Sequence, residues 1–246
     1  MAQPTDFNDL ININLDDFVR GADVSHHNSN VNWSNLSQKI DFCYIKLSDG
    51  PQYIDGYAQT HASGAKAHGI SIGFYHFARP EDSPNGDVDA NAKQQAKRVL
   101  DCLSELNAMG ITADLPLALD LENVGGGHPW DTNLDQENYM QWIKTFATEV
   151  FDPVINAKPV VLYSRTNYLR DHLPEDHSLS IDHPLWISRY NKDCDVLDPE
   201  TAGWANWDIW QFTEQGLLLP DDPGDTTGPD FFSRDLNVWR RSSFPL

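Results

Sequence analysis

The sequence predicts a single-domain α/β protein built as an irregular (β/α)8 barrel of the TIM type. Eight short apolar runs rich in β-branched and aromatic residues recur along its 246 residues, helical patterns separate several of them, and no composition break marks a linker or second domain. Strands that alternate with helical crossovers pair in parallel, and eight of them suffice to close a barrel.

In chain order the runs fall at 19–24, 40–47, 70–78, 115–122, 159–164, 184–190, 207–213 and 231–239. The clearest helix lies between the third and fourth, where Val88, Ala92, Ala96, Val99, Leu103 and Leu106 recur at three- and four-residue steps until Gly110 stops the pattern. A second is expected over 135–150, with Tyr139, Trp142, Ile143, Phe146 and Val150 on one face, and a weaker third over 58–68 ahead of Gly69. Connections between the last three strands are too short or too rich in Pro, Gly and Asp for full helices, notably 219–229, so the barrel should be irregular there. The barrel is expected over 20–240, with 1–19 as an N-terminal extension and 241–246 as a C-terminal tail.

A hydrophobic share of 40% with 11% aromatics is enough for one large core. The formal charge of -20 repels nucleic acid and anionic membrane surfaces at long range, so neither is expected as a partner. Residues 1–20 have neither the basic start nor the apolar run of a secretory signal, and no stretch reaches the roughly 20 apolar residues of a membrane span. Cys43 lies in a strand run and Cys102 on a helical stripe, so both read as buried thiols; with Cys194 they form an odd, scattered set that indicates no disulfide or zinc framework.

In such a barrel the chemistry sits at the C-terminal ends of the strands. Asp120 and Glu122 close the fourth run, and their i, i+2 spacing puts both carboxylates on one face, about 6 to 7 Å apart, with Leu121 pointing the other way. Asp23 ends the first run and Asp235 lies in the last, where an aspartate is costly unless paired or functional. One Asp-x-Glu alone is more often a solvated strand end, but here three strands aim carboxylates at one mouth. Neighbouring carboxylates in a desolvated cleft split their pKa values, one staying ionised while the other keeps its proton, and that combination suits glycosidic bond cleavage.

Strand ends also carry Tyr75, His76, Tyr163, Trp186, Tyr190, Trp210 and Gln211. Each alone packs more often in a core; together they describe a cleft in which aromatic faces meet sugar rings and polar groups fix hydroxyls. The Gly-Gly-Gly-His-Pro-Trp segment at 125–130 lacks the Lys-Ser/Thr of a phosphate loop and reads as a flexible substrate loop. His26, His27 and His76 raise a metal-dependent alternative, but adjacent histidines on a strand end point to opposite sides and no H-E-x-x-H spacing occurs. No metal or cofactor is expected.

These segments resemble glycoside hydrolase family 25, the lysozymes (N-acetylmuramidases) of bacteriophages, bacteria and some fungi. The resemblance runs in order through Gly21-Ala-Asp-Val-Ser25, Val31-Asn-Trp33, Tyr44-Ile-Lys-Leu-Ser-Asp-Gly50, Gly73-Phe-Tyr-His-Phe-Ala78, Ala118-Leu-Asp-Leu-Glu122, Leu185-Trp-Ile-Ser-Arg-Tyr190, Trp210-Gln-Phe-Thr213 and Asp235-Leu-Asn237. It implies Glu122 as proton donor, Asp120 as its companion, and Asp23 and Asp235 as the remaining acidic members of the site. It adds Lys46 to the substrate contacts. It implies bacterial peptidoglycan as partner, cut at the β-1,4 bond after N-acetylmuramic acid, with Asp120 acting as nucleophile or, as favoured here, orienting the substrate's own N-acetyl group.

Two departures from the family pattern bear on sugar selection. His26-His27-Asn28 stands where an aromatic residue and glutamine are usual, and Asp49 replaces the more usual glutamate. No wall-binding repeat is recognisable. A monomer acting at the cell wall, outside the cell or after release by lysis or specialised export, is expected. The rival readings are a non-catalytic carbohydrate-binding protein on the same barrel and a metal-dependent polysaccharide hydrolase or deacetylase.

Overall fold

A computed structural model of the chain describes residues 3–11, 13–81, 87–123, 132–152, 158–190, 203–217 and 234–245. Its strands are β1 (Phe18–Val24), β2 (Phe42–Asp49), β3 (Tyr53–Ile54), β4 (Ser71–Phe77), β5 (Ala118–Leu121), β6 (Val161–Arg165), β7 (Leu185–Ser188), β8 (Ile209–Gly216) and β9 (Arg234–Arg240). Every expected run holds a strand, and only the two-residue β3, which folds back antiparallel on the end of β2, was not anticipated. The sheet order β1-β9-β8-β7-β6-β5-β4-β2, closed by pairing of β1 with β2, makes an eight-stranded barrel.

One strand departs from the parallel scheme. β9 runs antiparallel to both β1 and β8, whereas the other barrel pairings are parallel. A parallel return needs a crossover long enough to hold a helix, and the Pro/Gly/Asp-rich sequence between β8 and β9 has no helical pattern. The reversal matters for the site, because the start of β9 stands at the same barrel mouth as the C-terminal ends of the other strands.

The three expected helices are present as α2 (Ala58–Ala67), α3 (Val88–Ala108) and α4 (Gln136–Glu149), and three short ones, α1 (Trp33–Leu36), α5 (Thr166–His172) and α6 (Leu179–Asp182), join them. Asp87 and Asp135 cap α3 and α4 by accepting the Ala90 and Asn138 N–H groups at 3.1 and 2.8 Å. Gly69 and Gly110, just past α2 and α3, take positive φ values of 75° and 80°, as a chain leaving a helix requires. The apolar stripes read from the sequence, Ala92, Ala96, Val99 and Leu103 on α3 and Tyr139, Trp142, Ile143 and Phe146 on α4, are buried against the barrel.

Inside the barrel, Phe42, Tyr44, Trp186 and Trp239 interlock, with ring centroids 5.6 Å apart for Phe42–Trp239 and 4.8 Å for Tyr44–Trp186. Two glycines make the room. A Cβ on Gly21 would lie 2.2 Å from the Phe42 ring, and one on Gly73 would lie 2.4 Å from Tyr44. This plug fills the lower interior, so the polar groups above it line a closed-ended cleft rather than a pore.

The N-terminal segment is part of the same core. Phe7 is 3% exposed, meets Phe212 of β8 edge to face at 5.5 Å and lies beneath the Arg20 guanidinium. At the other end Phe244 packs against Trp239 at 5.1 Å. Cys43 and Cys102 are buried thiols. Cys194, the 125–130 loop and the 219–229 connection lie outside the described residues.

Candidate active site

At the barrel mouth a cavity of about 190 Å³ is lined by the carboxylates Asp23, Asp120, Glu122, Glu214 and Asp235, by Tyr75, Tyr163, Trp186 and Tyr190, and by Arg165 and Gln211. Strand period explains the convergence. Asp23, Asp120, Tyr163 and Trp186 stand at inward positions near the C-terminal ends of parallel strands, and Asp235, second residue of the reversed β9, pairs in register with Asp23. Glu122 follows β5 by one residue and lines the same cavity as Asp120.

Hydrogen bonds hold the cavity floor. Gln211 Nε2 and Asn237 Nδ2 donate to Asp23 Oδ2 at 3.0 and 2.7 Å. Gln211 Oε1 accepts both the Tyr163 and Tyr190 hydroxyls, at 2.9 and 3.0 Å, and Asn237 Oδ1 accepts Trp186 Nε1 at 2.8 Å. Each amide uses its oxygen for a hydroxyl or indole and its nitrogen for the carboxylate, so the network fixes the orientation of both. Asp120 differs: its Oδ1 is buried and has no hydrogen-bond partner among the described residues.

The electrostatics follow from this crowding. Burial, then repulsion from Glu122, push the Asp120 carboxyl well above its ordinary range, with Lys46 opposing. Burial also raises Glu122, against the pull of Arg165 and with Asp23 adding to the rise. Asp235 is raised well above the carboxylate range by burial and by Asp23, and Asp23 is raised by burial despite three hydrogen bonds that favour its charge. Four carboxyls in one desolvated mouth cannot all ionise, so the site retains protons where isolated acids would have lost them.

His76 is not brought into the cavity. Tyr75 and His76 are neighbours on β4, and alternation turns one inward and the other out. His76 is fully buried in the helix layer, stacked on Phe146 at 5.4 Å, with Nδ1 2.9 Å from the Ser48 hydroxyl and Nε2 2.9 Å from Gln95 Oε1. Trp210 likewise faces outward, donating its indole N–H to the Arg189 carbonyl at 2.8 Å.

Lys46 stands beside the cavity. A register shift in β2 between Lys46 and Ser48 turns Ser48 toward the helices with His76 and brings Asp49 onto the same side as Lys46. Lys46 Nζ therefore reaches Asp49 at 2.9 Å, and Arg79 Nε holds the other Asp49 oxygen at 2.8 Å. His26 and His27 do not point to opposite sides as expected for a strand. They lie in the turn closed by the Asn28 N–H on the Ser25 carbonyl, with ring centroids 4.0 Å apart. His76 is on the far side of the sheet from them, and among the described residues no group of three His, Cys, Asp or Glu side chains is arranged to hold a metal.

Two lining residues were not anticipated. Arg165 ends β6 and its guanidinium lies 5.8 Å from the Tyr190 ring centre; the strand-end rule that selected Tyr163 would have reached it two residues on. Glu214 was hidden by register shifts in β8 between Gln211 and Thr213 and between Thr213 and Gly216, which break the alternation.

Comparison with known proteins gives a consistent picture. The family model described as Glycosyl hydrolases family 25 matches residues 22–220. The chain is 27% identical over 204 residues to Lysozyme M1 of Streptomyces globisporus, covering 81% of this chain and 63% of that protein. It is 26% identical over 202 residues to an autolytic lysozyme of Clostridium acetobutylicum, covering 81% of this chain and 52% of that one. The chain thus spans between about half and two thirds of the length of these relatives. Among solved structures, a bacterial lysozyme from Streptomyces coelicolor shares the fold with a TM-score of 0.68 at 24% identity, over 90% of this chain and 91% of that one.

Proposed function

The chain belongs to glycosyl hydrolases family 25, and from that premise we propose that it is a lysozyme hydrolysing the β-1,4 bond between N-acetylmuramic acid and N-acetylglucosamine in bacterial peptidoglycan. It acts at the bacterial cell wall, outside the cell that made it. The observation that carries this reading is the pair Asp120 and Glu122 at one strand end, sharing a cavity that holds their protons back.

The roles divide by position. Glu122, half-buried at the rim, protonates the leaving glycosidic oxygen. Asp120 lies deeper, 6% exposed, and its unpartnered Oδ1 accepts the N–H of the substrate's 2-acetamido group. That hydrogen bond aims the acetamido carbonyl oxygen at the anomeric carbon, where it forms a bond as the bond to the leaving oxygen breaks. Glu122, now a carboxylate, then takes a proton from the water that attacks the same carbon and reopens the ring. Tyr75, Trp186 and Tyr190 supply faces for the sugar, and Tyr163, fixed through Gln211, offers a rigid aromatic wall.

Mass spectrometry of products from purified peptidoglycan, reduced with borohydride after digestion, tests the reading. The expected new reducing end is N-acetylmuramic acid. A glucosamine end would reassign the bond, and intact strands would make the chain a non-catalytic wall-binding protein.

A further inference from the structure

The mechanism uses only part of the barrel mouth. Beside the carboxylate cavity lies a larger one, about 500 Å³, walled by His26, Asp49, Pro51, Tyr53 and Arg79. We propose that this second cavity is a saccharide subsite that continues the cleft and holds an N-acetylhexosamine ring of the same glycan strand against the wall formed by Tyr53 and His26, whose rings meet edge to face at 5.8 Å. The inference rests on glycan hydrolysis at the first cavity.

Continuity comes from the sheet. On the inward face of β4, Tyr75 lines the first cavity and Phe77, one pleat further, lies beneath both Lys46 and Arg79, at 4.7 and 4.3 Å from its ring centre. Asp49, brought to the mouth by the β2 register shift, ties those two cations together, and it walls the second cavity with Arg79. A strand leaving the carboxylates over this ridge enters the second cavity.

The chemistry of the walls selects a neutral ring. The cations are already held by Asp49, and Glu81 faces the same space, so charge there is balanced and offers little to an ionic group. Tyr53, by contrast, is 44% exposed on the two-residue β3 and presents a rigid aromatic face. His26 is preorganised. Asp55, 2% exposed, accepts the His26 backbone N–H at 3.0 Å, His26 Nδ1–H at 2.8 Å and the Tyr57 N–H at 2.9 Å. Nε2 makes no hydrogen bond among the described residues and is left for a ring hydroxyl or acetamido group. A buried carboxylate that fixes an imidazole in a cavity wall is an arrangement that orients the ring's other nitrogen toward a ligand.

The test separates this subsite from catalysis. In the Glu122→Gln variant, peptide-free glycan hexasaccharide should move the His26 imidazole resonance in a saturable titration, the signal being assigned by its loss in His26→Gln. With active enzyme, Tyr53→Ala should lower the ratio of kcat/KM on long peptide-free strands to that on tetrasaccharide by about tenfold. An unmoved His26 signal while hexasaccharide binds, or an unchanged long-to-short ratio in Tyr53→Ala, would overturn the subsite. So would a His26 shift seen only with strands that keep their peptide stems, which would make the cavity a peptide site. Absence of cleavage by the unaltered protein would instead sink the lysozyme reading, and the His26 titration would still decide the cavity.

Discussion

Asp23 on β1 and Asp235 on β9 stand directly opposite each other in the antiparallel pairing of those two strands, with their carboxyls close enough to act on each other's protons. Burial raises both above the ordinary carboxylate range, so the folded state binds protons that the unfolded chain releases. Stability from this pair is full at acidic pH and falls as pH rises through the raised folded values. Asp235→Asn keeps a hydrogen-bond donor for Asp23 and removes the second charge. Its melting temperature should match the unaltered protein near pH 4 and exceed it near pH 8, by about 2–4 °C for each 1 kcal/mol relieved. Parallel pH profiles for the two proteins would show that the pair does not share a proton.

Glu122→Gln preserves shape and removes the titrating proton, so lysis of bacterial wall suspensions should fall by about 10³-fold or more with the melting temperature little changed. Asp120→Asn should lose activity to a comparable degree, because the pair acts as one unit. The repulsion within the pair falls on Asp120, whereas Glu122 is raised by burial and by Asp23, so the surviving activity should keep the upper pH limit of the unaltered protein. A displaced limit in the residual turnover would show that Asp120 also sets the proton affinity of Glu122.

What the sequence made legible here was whatever depends on period. The eight strands, the stripes of α2, α3 and α4 and the shared face of Asp120 and Glu122 are consequences of repeats of 2.0 and 3.6 residues. What escaped breaks those periods. The register shifts in β2 and β8 brought Asp49 and Glu214 to the mouth against alternation, and the turn at residues 25–28 brought into contact two histidine rings that a strand would separate. The direction of β9 could not be read from its own residues, since parallel and antiparallel strands share one apolar pattern. His76 is the converse case: period two already forbids Tyr75 and His76 from facing the same side.

His76 instead supplies a pH dependence of its own. Burial lowers it from 6.5 to about 4, and a neutral ring is what its partners need, with Nδ1 accepting the Ser48 hydroxyl and Nε2–H donating to Gln95. Gln95 Nε2 in turn donates to the Arg79 carbonyl at 2.7 Å, so this network positions the residue that grips Asp49. A depressed histidine contributes stability that is fully present above the unfolded value near 6.5 and is lost as pH falls toward 4. The advantage of the unaltered protein over His76→Gln, read from urea midpoints, should narrow by roughly 3 kcal/mol between pH 7 and pH 4. A gap independent of pH would mean that the ring is not buried neutral.

The N-terminal segment gives the last prediction. Among the described residues no helix follows β7, so the outer face of β8 lacks the cover that α2, α3 and α4 give the other side. Phe7 and Leu10 fill that role, 3% and 8% exposed, and the Leu217 N–H donates to the Thr5 carbonyl at 2.6 Å, tying the segment to the end of β8. Removing a buried aromatic of this kind costs about 3–5 kcal/mol. Phe7→Ala should therefore lower the melting temperature by roughly 10 °C. Because Phe212, which Phe7 covers, is the next residue after Gln211, the loosened strand should also weaken the grip of Gln211 on Asp23 and the two tyrosines, so kcat should fall as well. A melting temperature within about 2 °C of the unaltered protein would show that the segment rests on the barrel without supporting it.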